Sequence, residues 1–389
     1  MERIILKNAL IADAFVSTKA DVAIQGGLIS QVASNITPLE KDTICDLEGL
    51  CILPGFIDIH AHLRTPGQTH KETFQTGLSA ALKGGFTTVC GMANTSPVVD
   101  NARLAAINNN DANSLGLAKY IQVGAIGMGL QDKEQVDLDA LLPETKVFSN
   151  DGLNINSSSF MAHALEESYK RSFLLCAHCE PEAEIIKRDL GLLAETKGNY
   201  HICHVSLESS IALVKAAKDA GLVFTVEAAP HHVGSYGMDY AVNPPIGSKA
   251  DMDSVINAIK GGYIDVLATD HAPHTQEDKD AGVSGINGFE TAFGMYWKAF
   301  CENGIPLEQY SRMSSFTPAK LLGLSNTGLV QEGYIADLAI CDLNKEWIVD
   351  SSTFVSKSRN TPFNGWQLHG QIVMAFVEGV LKYDNRHIV

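Results

Sequence analysis

"GFIDIHAHLR", residues 55–64, is an apolar run that ends in two histidines one residue apart, with an arginine directly after. Side chains at i and i+2 of a strand point to the same face, so His60 and His62 project together from the end of a strand formed here. Two imidazoles on one side make a natural metal pair. The fold therefore turns on whether other strands deliver similar chemistry to the same place.

Seven further β-branched, apolar runs lie along the chain: "TTVCGMAN" (87–94), "YIQVGAIG" (120–127), "TKVFSND" (145–151), "FLLCAHCE" (173–180), "YHICHVS" (200–206), "VFTVEAAPHH" (223–232) and "DVLATDHAPH" (265–274). Stretches of helical periodicity separate them, such as "ETFQTGLSAALKGG" (72–85) and "SSIALVKAAKDAG" (209–221). Eight strands with helical spacers predict an α/β fold, a (β/α)8 TIM barrel over residues 53–329, with its active site at the C-terminal strand ends. Residues 1–52 and 330–389 alternate in short pieces with Gly turns, as small antiparallel sheets do, and are expected to pack into one β subdomain.

Composition sets the outer limits. The chain has 389 residues, 45% hydrophobic and 19% charged, enough to bury a sizeable core. Its 29 Lys and Arg against 45 Asp and Glu leave a formal charge of −16, which repels nucleic acid and anionic membranes. Neither partner is expected. The first residues, "MERIILKNALIADAF", lack the order of a signal peptide, and no apolar segment is long enough to span a bilayer, so a cytoplasmic enzyme is the default. Eight cysteines, several inside apolar strands, read as reduced core residues.

Of thirteen histidines, His60, His62, His178, His204, His271 and His274 lie at or near strand ends. A lone histidine is most often a hydrogen-bonded residue of a partly buried loop. Five strand ends carrying the same chemistry argue otherwise: His60 and His62, Asp151, His178, His204, and Asp270. Four imidazoles and two carboxylates suffice for two divalent ions if one carboxylate bridges them.

At these residues the chain resembles the dihydroorotases of the class I type, within the amidohydrolase superfamily. "PGFIDIHAHLRTPGQTHKETFQTGLSAALKGGFTTVCGMANTSPVVDN" and "ATDHAPH" are similar to the two signatures of that family. The likeness runs on through "NDG", "AHCE", "YHICHVS", "APHH", "NPP", "GFETAF" and "GYIADLAICDL" to "NTPFNGW". It implies a barrel with a binuclear zinc centre, two Zn2+ per chain with other divalent ions as substitutes. His60 and His62 match the ligands of one metal, His178 and His204 those of the other, Asp151 a carboxylate between them, and Asp270 a ligand that is also the catalytic acid/base. Many superfamily members place a carboxylated lysine at the bridge. Lys146 sits too early in its strand for that and reads as structural or solvated.

The same likeness implies a substrate-binding set of His62, Arg64, Asn94, Asn243 and His274. Arg64, Asn94 and His274 match groups for a free carboxylate, and Asn243 matches a contact to the ring. An arginine offers a planar fork of donors that suits a carboxylate. The implied activity is the reversible closure of N-carbamoyl-L-aspartate to dihydroorotate. The implied assembly is a homodimer, with aspartate carbamoyltransferase as a candidate partner. Another cyclic amidohydrolase (hydantoinase or allantoinase) and a non-catalytic scaffold are the competing readings. Only 26 positions separate His178 from His204, where the family resemblance implies a longer segment over the barrel mouth. His231 and His232 are expected at a strand end as supporting or packing groups, Cys176, Cys179 and Cys203 as core. His70, His163, His201, His369 and His387 join no constellation.

Overall fold

A computed structural model describes residues 3–386, so His387 lies outside the described residues. The chain begins with five short strands: Ile4–Ala12 (β1), Ser17–Gln25 (β2), Leu28–Ala33 (β3), Thr43–Asp46 (β4) and Cys51–Pro54 (β5). Gly26 and Gly27 both take positive φ, 62° and 82°, between β2 and β3. That conformation is what a two-residue hairpin requires, and glycine adopts it without a Cβ clash.

Eight strands then alternate with helices: Phe56–Ala61 (β6), Phe86–Gly91 (β7), Lys119–Gln122 (β8), Val147–Ser149 (β9), Leu174–Ala177 (β10), Tyr200–Ile202 (β11), Thr225–Ala228 (β12) and Val266–Leu267 (β13). One parallel ladder runs β6-β7-β8 and another β9 to β13. Parallel bridges Gly124↔Phe148 and Ala61↔His271 join the two ladders at both seams. The ring is closed, a (β/α)8 barrel, and each of the eight expected runs overlaps one of its strands, with β7 and β8 starting one residue ahead of theirs. A closed parallel ring brings every C-terminal strand end to one face.

The observed strands are shorter than the apolar runs suggest. Asp151, His178, His204 and Asp270 all lie just beyond the last paired residue. His204 and Asp270 take positive φ, 27° and 46°, which no strand can continue. The tail of "VFTVEAAPHH" departs furthest, because Pro230–Gly234 is a short helix and not a strand end. Proline has no N–H for a ladder and its fixed φ suits the first helical position, so the strand stops at Ala228.

The helices agree with the expected periodicity. In the helix Phe74–Lys83, Thr73 caps the first turn in a reciprocal box with Thr76, and Leu78, Ala81 and Leu82 are buried. The 26 positions after His178 hold the helix Glu182–Thr196 and then β11. They leave no chain to spare over the mouth. Among the described residues, no helix is long and apolar enough to cross a membrane.

After the barrel come Leu338–Ile348 (β14), Gln367–Val377 (β15) and Val380–Asp384 (β16). They join the opening strands in one sheet of order β16-β15-β14-β5-β1-β2-β3, with β4 alongside β1. Most pairs are antiparallel, but β1 runs parallel to β4 and β5. β5 leads through Gly55 into barrel strand β6, which belongs to a different sheet. At that corner the Gly55 N–H donates to the Asp337 carbonyl at 2.8 Å. A Cβ on Gly55 would meet Thr87 Oγ1 at 2.2 Å and Cγ2 at 2.4 Å.

Thr87 is buried and, being β-branched, stiff at χ1. Gly55→Ala should therefore overpack the junction of sheet and barrel and destabilise the fold by about 1–3 kcal/mol. Urea unfolding should show a lowered midpoint at unchanged slope. A wild-type midpoint would show that the corner opens without strain.

Candidate metal centre and substrate pocket

The structure brings all six expected ligands together at the C-terminal face of the barrel. Asp151 is central: its Oδ1 lies 3.3 Å from His60 Nε2, 3.8 Å from His178 Nδ1 and 3.9 Å from His204 Nε2, and its Oδ2 lies 3.3 Å from His62 Nε2. Asp270 Oδ1 is 3.2 Å from His62 Nε2 and 3.6 Å from His60 Nε2. His178 Nδ1 and His204 Nε2 approach to 2.9 Å. His60, His62 and Asp151 form one group able to hold an ion, and Asp151, His178 and His204 another.

Burial gives this geometry its force. All six residues are buried, and His60 Nε2 and Asp151 Oδ1 have no hydrogen-bond partner. An unpaired buried polar atom typically costs about 1–3 kcal/mol. Here two such atoms face each other across a set of nitrogen and oxygen donors suited to zinc and similar divalent ions, so the residues fit a metal centre. Burial alone would raise the Asp151 pKa, yet the facing imidazoles of His60, His62 and His178 hold it well below the carboxylate range. Asp270 is likewise held low against burial, by His62 and His60 foremost. Burial, with His178 and His60 nearby, pushes His204 down to about 3, keeping it neutral with a lone pair to offer. Lys146 is exposed and takes no part.

The ligands are held from behind by residues to which the sequence assigns no role. Glu227 on β12 places Oε1 2.6 Å from His60 Nδ1 and Oε2 3.0 Å from His201 Nε2, while its Oε1 accepts from the His204 backbone N–H. Burial would raise its pKa, but His60 and His201 draw it to about 2. A carboxylate on Nδ1 fixes the His60 tautomer and leaves Nε2 free for a metal. Asp58 on β6 accepts from the N–H groups of His60 and Thr269 and from the Thr269 hydroxyl, tying the first strand to the Asp270 loop. The one signal in the sequence is an acid inside an apolar run, in "FIDIH" and again in "TVEAA". His201, expected to join no constellation, belongs to this support.

The expected substrate groups flank the cluster. Arg64 is buried at φ 56°, donates Nε–H to the Pro273 carbonyl at 3.1 Å and sets Nη2 3.0 Å from His274 Nε2. Asn94 Oδ1 accepts from His62 Nδ1 at 2.9 Å, so it orients that imidazole. Asn243 Nδ2 lies 3.2 Å from His178 Nε2 and donates to Glu180 Oε2 at 2.7 Å. Arg64, His204 and Asp270 all carry left-handed backbone, a strain of about 1–3 kcal/mol each that aims their side chains inward. His231 and His232 are buried in their short helix. Cys176, Cys179 and Cys203 pack in hydrophobic clusters, although Cys203 also comes within 4.8 Å of donor atoms of His60 and Glu227.

Comparison with known proteins identifies the family and the fold. Residues 51–382 match the model of the amidohydrolase family. A dihydroorotase of Clostridium botulinum is 37% identical over 98% of this chain and 99% of its own length. One from Bacillus cytotoxicus is 36% identical over 94% of each. Among solved structures, an L-hydantoinase (dihydropyrimidinase) from Arthrobacter aurescens superposes with a TM-score of 0.90, at 22% identity, covering 100% of this chain and 98% of that one. A dihydropyrimidinase from Brevibacillus agri gives 0.87 at 20% identity, covering 100% and 96%.

Glu227→Gln removes the charge that holds His60 while keeping the side chain's shape. Metal affinity should fall about 10–100-fold, measured by competition with a chromogenic chelator. Wild-type affinity would mean that Glu227 only packs.

Proposed function

The chain belongs to the amidohydrolase family, and on that footing we propose that it is a dihydroorotase, interconverting N-carbamoyl-L-aspartate and (S)-dihydroorotate in de novo pyrimidine synthesis. The curated relatives of that name support the reading. The observation that carries it is the buried Arg64, paired with His274 at 3.0 Å beside the histidine–aspartate cluster. A buried guanidinium needs an anionic partner, and a substrate that pairs a free carboxylate with a cyclic amide supplies one.

His60 and His62 would hold one zinc ion, His178 and His204 the other, with Asp151 shared between them and Asp270 reaching the first. When bound, such a pair lowers the pKa of water toward neutrality and polarises the amide carbonyl. Everything else falls to the chain. Arg64, with His274 and Asn94, binds the substrate carboxylate and so sets which carbonyl faces the cluster. Asp270, held ionised by the surrounding imidazoles, accepts the proton of the attacking water as the carbon–oxygen bond forms. It returns that proton to the ring nitrogen as the carbon–nitrogen bond breaks. In the biosynthetic direction the side-chain carboxylate first takes up one proton from solution, and the ureido nitrogen attacks the carbon of the resulting carboxylic acid. Asp270 then moves the nitrogen's proton to the acid's hydroxyl oxygen, which leaves as water as the carbon–nitrogen bond forms. Asn243, beside His178, contacts the ring.

Two variants separate binding from chemistry. Arg64→Met keeps much of the stem but deletes the fork, so it should chiefly raise KM for dihydroorotate, costing about 1.5–3 kcal/mol or one to two orders of magnitude in kcat/KM. Asp270→Asn should instead collapse kcat, because an amide cannot carry the proton. Steady-state kinetics with dihydroorotate and with a neutral cyclic amide test the contrast. Equal losses on both substrates for Arg64→Met, or turnover of the neutral amide alone by the wild type, would point to a hydantoinase-type activity instead.

A further inference from the structure

The motif "NTPFNGW" near the end of the chain is not accounted for by the metal centre. It lies in the excursion between β14 and β15, and its first residue, Asn360, is buried together with Ser356 and Ser358. These three residues leave the terminal sheet and lie against the barrel mouth. Asn360 Oδ1 accepts from the His274 backbone N–H at 3.1 Å, and the Ser358 hydroxyl donates to the His274 carbonyl at 2.8 Å. The peptide groups on both sides of one residue are thereby gripped by a segment more than eighty positions away. Asn360 Nδ2 donates to the Gly285 carbonyl at 3.0 Å, which closes the far side of the same loop. Ser356 Oγ and the Lys357 N–H are in turn anchored on the buried Glu72 carboxylate, from the loop after β6.

This grip holds the wall on which Arg64 rests. The guanidinium's contacts to the Pro273 carbonyl and to His274 Nε2 are made with the two residues whose backbone Asn360 and Ser358 fix. We propose that Ser358 and Asn360 are positioning residues for the carboxylate subsite, acting through residues 273–274 on Arg64, so that the C-terminal segment determines substrate specificity from outside the barrel. The inference rests on the dihydroorotase reading for the identity of the carboxylate. It requires neither residue to touch substrate. A buried amide and hydroxyl satisfied on both sides hold a loop more firmly than apolar packing does, because a shifted loop would leave them unpaired.

The test is steady-state kinetics on full-length, metal-loaded protein with dihydroorotate, for Asn360→Ala, Ser358→Ala and Ser358→Thr, beside Arg64→Met. Asn364→Ala, an exposed residue of the same excursion that accepts from the Ser351 N–H, serves as control. Asn360→Ala and Ser358→Ala should each raise KM about tenfold with kcat within about twofold of wild type. Ser358→Thr, which keeps the hydroxyl, should restore KM, and Asn364→Ala should leave both constants unchanged. A merely structural role would lower kcat through lost active protein and leave KM alone, and that result overturns the proposal. So does unchanged KM in both alanine variants while Arg64→Met raises it, a result that leaves the dihydroorotase reading standing. A wild type that does not turn over dihydroorotate defeats that reading and this proposal together. Should Asn360→Ala fail to fold, the pair Ser358→Ala and Ser358→Thr decides the matter alone.

Discussion

A carboxylate buried among imidazoles governs the barrel mouth. Asp151 has one oxygen facing His60, His178 and His204 and the other facing His62; all five residues are buried, and His60 Nε2 and Asp151 Oδ1 have no hydrogen-bond partner. Lone pairs packed this closely repel unless something positive lies between them. Protons can play that part weakly, and divalent ions can play it well. The rest of the site serves this constraint, since His60, His62 and His178 each present one nitrogen to the centre and meet a supporting group with the other.

That division of labour accounts for the residues behind the ligands. Glu227 takes His60 Nδ1, Asn94 takes His62 Nδ1, and Asn243 approaches His178 Nε2. Strained backbone at His204 and Asp270 turns their side chains inward where a strand would have alternated away. Asp58 shows the cost most plainly: burial pushes its pKa up to about 7 even though Thr269 and two backbone N–H groups bind its oxygens. The chain accepts a poorly solvated acid there in exchange for locking β6 to the Asp270 loop.

The barrel is legible in the sequence because its signal is periodic and local. Each βα unit writes its own apolar run and helical spacer, and the histidines that come after "GFIDI", "FLLCA" and "YHIC" stand at or within two residues of the ends of their strands. Strand ends are less legible, because pairing stops where a neighbouring strand stops. The helix at Pro230–Gly234 shows how a proline can turn an apparent strand end into a first helical turn. The support network is barely legible. His60 and Glu227 are 167 positions apart, and Glu72 and Ser356 are 284 apart. No window of sequence holds both partners, and only an acid in an apolar run hints that a partner exists. Asn94, expected at the substrate carboxylate, also holds His62 through its Oδ1, a contact the sequence does not announce, and its amide nitrogen is left for the substrate.

The joining of two metal sites by Asp151, without a carboxylated lysine, is the premise of this chemistry. It is tested most directly by elemental analysis of wild type and Asp151→Ala after growth in zinc, with turnover measured in the absence of added bicarbonate. The expected result is about two divalent ions per chain and bicarbonate-independent activity in the wild type, with metal and turnover lost together in the variant. A wild type with only trace metal, or a variant that keeps both ions and the full rate, would contradict it.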